Sequence, residues 1–190
     1  NDHLHAGAKM VPFAGWEMPV QYEGILAEYE STRPQCSIFD TSHMGEFLMT
    51  GDYQESGLNR IVTQSLKDMP LKTCRYGVAL NDAGGILDDL IVYRIAQDEW
   101  MIVVNGATTE KMAEHFTRHL ASKAKFKDIS QATGKLDIQG PLSREVLKTI
   151  VKGRSNSSSG IEALNYYTFD FFDVLGEKVI VSRTGYTGEL

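Results

Sequence analysis

The chain switches between two hydrophobic periods, and the switches mark its elements. Residues 45–50, Gly-Glu-Phe-Leu-Met-Thr, read as a strand that runs into a turn at Gly51-Asp52. From Tyr53 onward Leu58, Ile61, Val62 and Leu66 recur at helical intervals, which predicts an amphipathic helix, with Pro70 beyond its end. Residues 76–80 make a short strand, Asn81-Asp82-Ala83-Gly84-Gly85 is strong turn chemistry, and residues 88–95 make the next strand. Asp98-Glu99 marks another turn, after which residues 100–104 return antiparallel. Met112, Phe116 and Leu120 repeat every four positions and predict a helix over 107–122, capped by Thr108 or Thr109. Residues 136–139 read as a strand, and Gly140-Pro141 opens a further helix that turns Val146, Leu147 and Ile150 inward. The stretch 154–160 reads as a surface loop, and residues 169–174 and 178–183 as a closing hairpin around Leu175-Gly176.

Strands joined by tight turns and interleaved with helices predict an α+β fold with mostly antiparallel sheets, not a doubly wound parallel one. Length, 190 residues, suits one globular domain or one domain with a second begun. No apolar run approaches the roughly 18 residues of a membrane helix. With 19 Lys+Arg against 25 Asp+Glu the formal charge is −6, and Lys123, Lys125 and Lys127 are the only concentrated positive stretch. That balance argues against sequence-independent nucleic-acid binding. Cys36 and Cys74 form no CxxC pair, so neither a zinc ribbon nor a dithiol redox motif is expected, and a structural disulfide is disfavoured. The chain opens at Asn1 without an initiator Met and stops just after a Gly-punctuated loop, which reads as a portion of a longer polypeptide.

Chemistry concentrates in the block Gly84-Gly85-Ile86-Leu87-Asp88-Asp89-Leu90-Ile91-Val92-Tyr93, where a tight turn delivers two adjacent carboxylates to an apolar strand. Alternation puts Asp89, Ile91 and Tyr93 on one face and Asp88, Leu90 and Val92 on the other. Both carboxylates cannot enter a core, so one should meet a polar cavity or hydrogen-bond donors and the other solvent or the turn. On spacing alone, the reading of both as turn residues capping amides stands ahead of a catalytic one. His43, in Asp40-Thr41-Ser42-His43-Met44-Gly45, invites comparison with a Ser-His-Asp triad, but no Gly-x-Ser-x-Gly elbow accompanies it. His115 and His119 lie four apart on a helix with no evident third ligand, so no metal site is expected. Phosphate-binding GxGxxG and Walker patterns are absent.

Five blocks in order carry a resemblance: Pro12-Phe13-Ala14-Gly15-Trp16, Phe39-Asp40-Thr41-Ser42-His43-Met44, the Gly84 to Tyr93 block, Ile138-Gln139-Gly140-Pro141 and Gly185-Tyr186-Thr187-Gly188-Glu189. With them the chain resembles the T-protein family of the glycine cleavage system, tetrahydrofolate-dependent aminomethyltransferases, from its first residues to its last. The resemblance implies a multi-lobed α+β fold around a folate channel, of which residues 1–190 would be the incomplete N-terminal portion, inactive alone. It implies tetrahydrofolate as co-substrate and the lipoylated H protein as partner, with ammonia and 5,10-methylenetetrahydrofolate as products. It assigns the key carboxylate to Asp89, beside N10 of folate, and the channel lining to Met44, Tyr76, Tyr93, Val103, Asn105 and Tyr186. Glu189 is not the family's pterin-gripping glutamate, which lies further on. The implied compartment is a bacterial cytoplasm, or the mitochondrial matrix in a eukaryote.

Two other readings share the resemblance. One is a different folate-dependent enzyme of the same fold, such as a demethylase of a methylated sulfur or amine compound. The other is a non-catalytic folate-binding factor in iron–sulfur assembly, which the acidic pair Asp88-Asp89 argues against.

Overall fold

The computed structural model describes residues 2–154 and 160–185. In chain order the strands are β1 (Lys9–Phe13), β2 (Trp16–Gln21), β3 (Ser37–Asp40), β4 (Gly45–Thr50), β5 (Cys74–Leu80), β6 (Ile86–Ala96), β7 (Glu99–Val104), β8 (Lys125–Asp128), β9 (Leu136–Gln139), β10 (Val151–Arg154), β11 (Thr168–Val174) and β12 (Glu177–Arg183). The α-helices are α1 (Asp2–His5), α2 (Ile25–Thr32), α3 (Leu58–Ile61), α4 (Thr109–His119) and α5 (Ser143–Ile150). The chain forms two compact units, one of Thr41–Lys135 with Tyr167–Phe169, the other of the remaining segments. The α+β class and its antiparallel sheets agree with the sequence pattern.

The central unit, Thr41–Lys135, is built on a five-stranded antiparallel sheet in the order β5-β6-β7-β4-β8. One face carries the core. Phe47 and Met49 of β4, Leu90 and Val92 of β6, and Trp100, Ile102 and Val104 of β7 alternate onto it and are all buried. Met112 and Phe116 of α4 cover them; the Phe116 and Phe126 rings stack with centroids 5.8 Å apart, and Phe47 meets Phe116 edge-on. Trp100 keeps its indole N–H satisfied by donating to the Gly51 carbonyl at 3.1 Å. β8 lies at the sheet edge, and its exposed Lys125 and Lys127 guard that edge against further pairing.

Three helical expectations are corrected. Residues 53–66 do not form one helix: only α3 is helical, a single turn. Asp52 Oδ1 accepts the amides of Gln54 and Glu55, folding the start into a turn, and Gly57 takes a left-handed φ of 82°. Val62 is extended and bridges to Ala79. The apolar spacing still serves the core, since Leu58, Ile61, Val62 and Leu66 are all buried there. The helix expected over 107–122 begins as a 3₁₀ turn, Gly106–Thr108, and its α-helical part ends at His119. Neither threonine caps it: Thr108 Oγ1 donates to Asp88 and Thr109 Oγ1 to the Asn105 carbonyl. Pro141 precedes α5 instead of starting it, and Val146 points outward at 42% exposure.

The other unit holds the hairpin β1–β2, the pair β3–β9 and the sheet β10-β11-β12. The closing hairpin of β11 and β12 falls where the sequence placed it. Ile161, Leu164 and Phe172 make a small core with Leu147 of α5. Glu28 reaches back to accept the amides of Tyr22 and Gly24 at 2.7 and 3.0 Å, closing the first turn of α2 and lowering its own pKa. His3 joins the Tyr22 hydroxyl and the Asp40 carboxylate at 2.8 and 3.1 Å.

Candidate functional site

The register of the central sheet decides which side chains share its second face, opposite the core. Ile91 pairs with both Tyr76 and Val103, Val103 with Glu46, Val78 with Asp89, and Tyr93 with both Cys74 and Met101. Since side chains alternate, Tyr76, Asp89, Ile91, Tyr93, Val103 and Glu46 fall on this one face. Asn105 follows β7 in extended backbone and bonds the Asp89 carboxyl, and Met44 lies in the bend just before β4. Of the site residues assigned from sequence, Tyr76, Asp89, Tyr93 and Val103 share this sheet face, Asn105 is tied to it through Asp89, Met44 precedes it in a bend, and Tyr186 lies outside the described residues. Their burial differs. Tyr76 is exposed, Met44, Asp89 and Asn105 are half-buried, while Tyr93 and Val103 are buried. Tyr93 packs edge-on against Phe169 at 5.2 Å.

The hairpin that carries the acidic pair is set by Asn81, whose Oδ1 accepts the amides of Ala83 and Gly85, and by Gly84 at a φ of 79°. The two carboxylates then part ways, as the alternation requires. Asp88 is buried and accepts the Asn105 amide N–H at 3.0 Å, the Asn105 Nδ2 at 2.8 Å and the Thr108 hydroxyl at 2.7 Å. It ties the end of β7 to the 3₁₀ turn, so amide capping describes Asp88 but not its neighbour. Asp89 accepts Asn105 Nδ2 at its Oδ1, 2.7 Å away, and among the described residues no donor reaches its Oδ2. Asn105 is a clamp: one amide group holds both acids, fixing the Asp89 carboxyl with one oxygen turned to the open face.

The loop before β4 closes on this clamp through two glycines. A Cβ on Gly45 would stand 2.6 Å from Val104 Cγ2, and one on Gly106 would strike the His43 carbonyl oxygen. Only glycine lets residues 43–45 lie directly on the β7 junction that positions Asn105. Sequence reading missed Glu46. It is 2% exposed, both carboxyl oxygens are buried without a hydrogen-bond partner among the described residues, and burial pushes its pKa up to about 7, with Lys135 opposing the rise and Asp128 adding to it. A glutamate at the second position of an otherwise apolar strand was the available signal. Thr108 was noticed only as a possible cap.

His115 and His119 do lie together, with ring centroids 4.3 Å apart. His119 Nδ1–H donates to the His115 carbonyl at 2.8 Å, and its Nε2 stands 4.0 Å from Asp82. Burial and the neighbouring His119 lower the His115 pKa. Among the described residues, however, no group of three or more His, Cys, Asp or Glu is arranged to hold a metal ion. Cys36 and Cys74 are both free. No helix among the described residues is long and apolar enough to cross a membrane.

A family model described as the GCVT N-terminal domain matches residues 1–190. This chain belongs to that family, the glycine cleavage T proteins. An aminomethyltransferase of Pseudothermotoga lettingae is 40% identical over 188 residues, covering 98% of this chain and 50% of the relative. The crystal structure of glycine cleavage system aminomethyltransferase T from Bartonella henselae superposes with a TM-score of 0.82 at 29% identity, over 98% of this chain and 49% of that one. The chain thus spans about half the length of the T-protein relatives it matches. A heterotetrameric sarcosine oxidase from Corynebacterium sp. U-96 shares the fold at a TM-score of 0.59 and 12% identity, over 84% of this chain and 77% of that chain.

Proposed function

We propose that this chain is the N-terminal portion of a tetrahydrofolate-dependent aminomethyltransferase of the glycine cleavage system, acting in a bacterial cytoplasm. The observation that carries the reading is the Asp89 carboxyl, held by Asn105 on the sheet face that Tyr76 shares. In this reading the group transferred is the aminomethyl unit on the lipoyl arm of H protein. Its nitrogen leaves as ammonia, its carbon passes to tetrahydrofolate, and the product is 5,10-methylenetetrahydrofolate.

The residues of the face fit such a ligand. A flat heteroaromatic ring system with N–H groups calls for an aromatic or thioether wall and one carboxylate acceptor. Tyr76 is an exposed aromatic, Met44 a half-buried thioether, and Asp89 Oδ2 an acceptor without a protein donor among the described residues. Tetrahydrofolate supplies the nucleophilic nitrogens that take the carbon. Asp89 supplies fixed negative charge where positive charge grows on the accepting nitrogen, and Asn105 holds it there before reaction, so little reorganisation is needed. Val103 and Tyr93, buried further along the same face, add apolar surface to it.

Equilibrium binding of tetrahydrofolate to the whole polypeptide tests the assignment of the face. Tyr76→Ala should weaken binding about fivefold, since loss of one stacking surface costs on the order of 1 kcal/mol. Unchanged affinity would remove Tyr76, and with it this face, from the ligand site. Assaying the same polypeptide for demethylation of methylated amines separates the reading from the other folate enzymes of the fold.

A further inference from the structure

Glu46 is the group on this face that the reaction has not yet used. It sits on β4 directly opposite Val103, one strand removed from the strand of Asp89, and it projects from the same side of the sheet. Its backbone is fixed on both sides: Glu46 N–H donates to Ser130 Oγ at 3.0 Å, and Ile129 N–H donates to the Glu46 carbonyl at 2.9 Å. The residue is 2% exposed, and among the described residues neither Oε1 nor Oε2 has a hydrogen-bond partner. The charged groups that act on it are Lys135, which draws it toward ionisation, and Asp128, which opposes that. Lys135 Nζ itself donates to Thr41 Oγ1 at 3.0 Å. A carboxyl that served only to satisfy the fold would be expected to hold donors, as Asp88 does with its three. Glu46 holds none, although it is rigidly placed and shut away from bulk water.

We propose that Glu46 is an acid–base residue of the face, which holds a proton for the nitrogen that the transfer reaction releases. The proposal rests on the aminomethyl-transfer reading above. The C–N bond of the aminomethyl group breaks with its electron pair on nitrogen, and the proton of Glu46 goes to that nitrogen, directly or through one water, so that it departs as ammonia. Two new C–N bonds join the methylene carbon to the two folate nitrogens, which shed two protons. One returns to the Glu46 carboxylate; the other ends on the lipoyl sulfur as the C–S bond breaks. Nothing is oxidised or reduced, and Glu46 finishes as it began. The task suits a group that protonates and deprotonates near neutrality, as burial makes this one do.

The test compares wild type with Glu46→Gln in the whole polypeptide, supplied with aminomethylated H protein and tetrahydrofolate. Gln keeps the shape and cannot pass a proton. Single-turnover release of ammonia should fall on the order of 100-fold, with tetrahydrofolate affinity unchanged and the limb of the pH–rate profile near 7 lost. A rate and pH profile equal to wild type would overturn the proposal and leave Glu46 a neutral packing residue. A weaker folate affinity with an unchanged chemical step would overturn it too, by making Glu46 a binding contact. Should Gln prevent folding, infrared spectra of wild type with ¹³C-labelled glutamate give an independent reading. A protonated carboxyl band that diminishes when the aminomethyl donor is added without tetrahydrofolate supports the proposal, and a band indifferent to the donor contradicts it. If wild type itself transferred no carbon to tetrahydrofolate, the underlying reading would fail, which is a different outcome from an indifferent Glu46.

Discussion

Adjacent aspartates with opposite fates show how far single residues are set by alternation. Asp88 and Asp89 differ by one position, which puts the first on the core side among three donors and the second on the open face with one. Asn105 serves both, so Asn105→Ala should cost about 1–3 kcal/mol by stripping the side-chain bond to buried Asp88, while the backbone N–H bond stays, and should also loosen Asp89. Chemical denaturation measures the first effect. Glu46 gives a pH signature. Its folded value of about 7 lies above the ordinary 4.5, so its protonated form favours the fold. That contribution is complete below about pH 4.5 and is lost as pH rises through 7. Glu46→Gln abolishes the loss, and its stability relative to wild type should gain roughly 1–3 kcal/mol across that interval in urea unfolding. The cysteines differ as well. Burial pushes the Cys74 thiol up to about 12, whereas Cys36 is only half-buried, so a thiol reagent on the native protein should label Cys36 well before Cys74, as peptide mass mapping would show.

At the scale of elements, the strands of the central sheet were legible because each carries a one-sided apolar alternation ended by turn chemistry. Gly45–Thr50 has the expected bounds, and β5, β6 and β7 lie within two residues of theirs. What could not be read lacks that signal. None of the described residues of α2 is buried, β3 alternates weakly with two exposed apolar residues, and β1 contains Pro12. β3 is held by β9, distant in sequence, and a local pattern does not report such pairing, whereas β1 pairs with the neighbouring β2. β8 was hidden because its lysines read as a solvated face, which at a sheet edge they are. The helix expected from residue 53 failed because helical spacing of apolar residues also arises when a single turn and an extended segment descend on one core. The junction of the 43–45 loop with the 3₁₀ turn yields a sharper prediction. Gly106→Val places a methine against the His43 carbonyl and should destabilise by about 1–3 kcal/mol, measured by thermal unfolding, while displacing Asn105.

For the molecule as a whole, the face assigned from sequence was legible as a set of residues but not as a surface. Alternation gave Asp89 and Tyr93 a common side, but only the register of four strands adds Tyr76, Val103 and Glu46. That register rests on the core beneath. Phe116→Ala should cost about 3–5 kcal/mol and disturb the whole sheet, because its ring packs against both Phe47 and Phe126. The central claim is that the Asp89 carboxylate drives carbon transfer to tetrahydrofolate. Its most direct test is the single-turnover rate of 5,10-methylenetetrahydrofolate formation by the whole polypeptide carrying Asp89→Asn, an exchange that keeps shape and removes charge. A rate lower by on the order of 100-fold, with native stability and retained folate binding, is the predicted result; a rate near wild type would contradict the account.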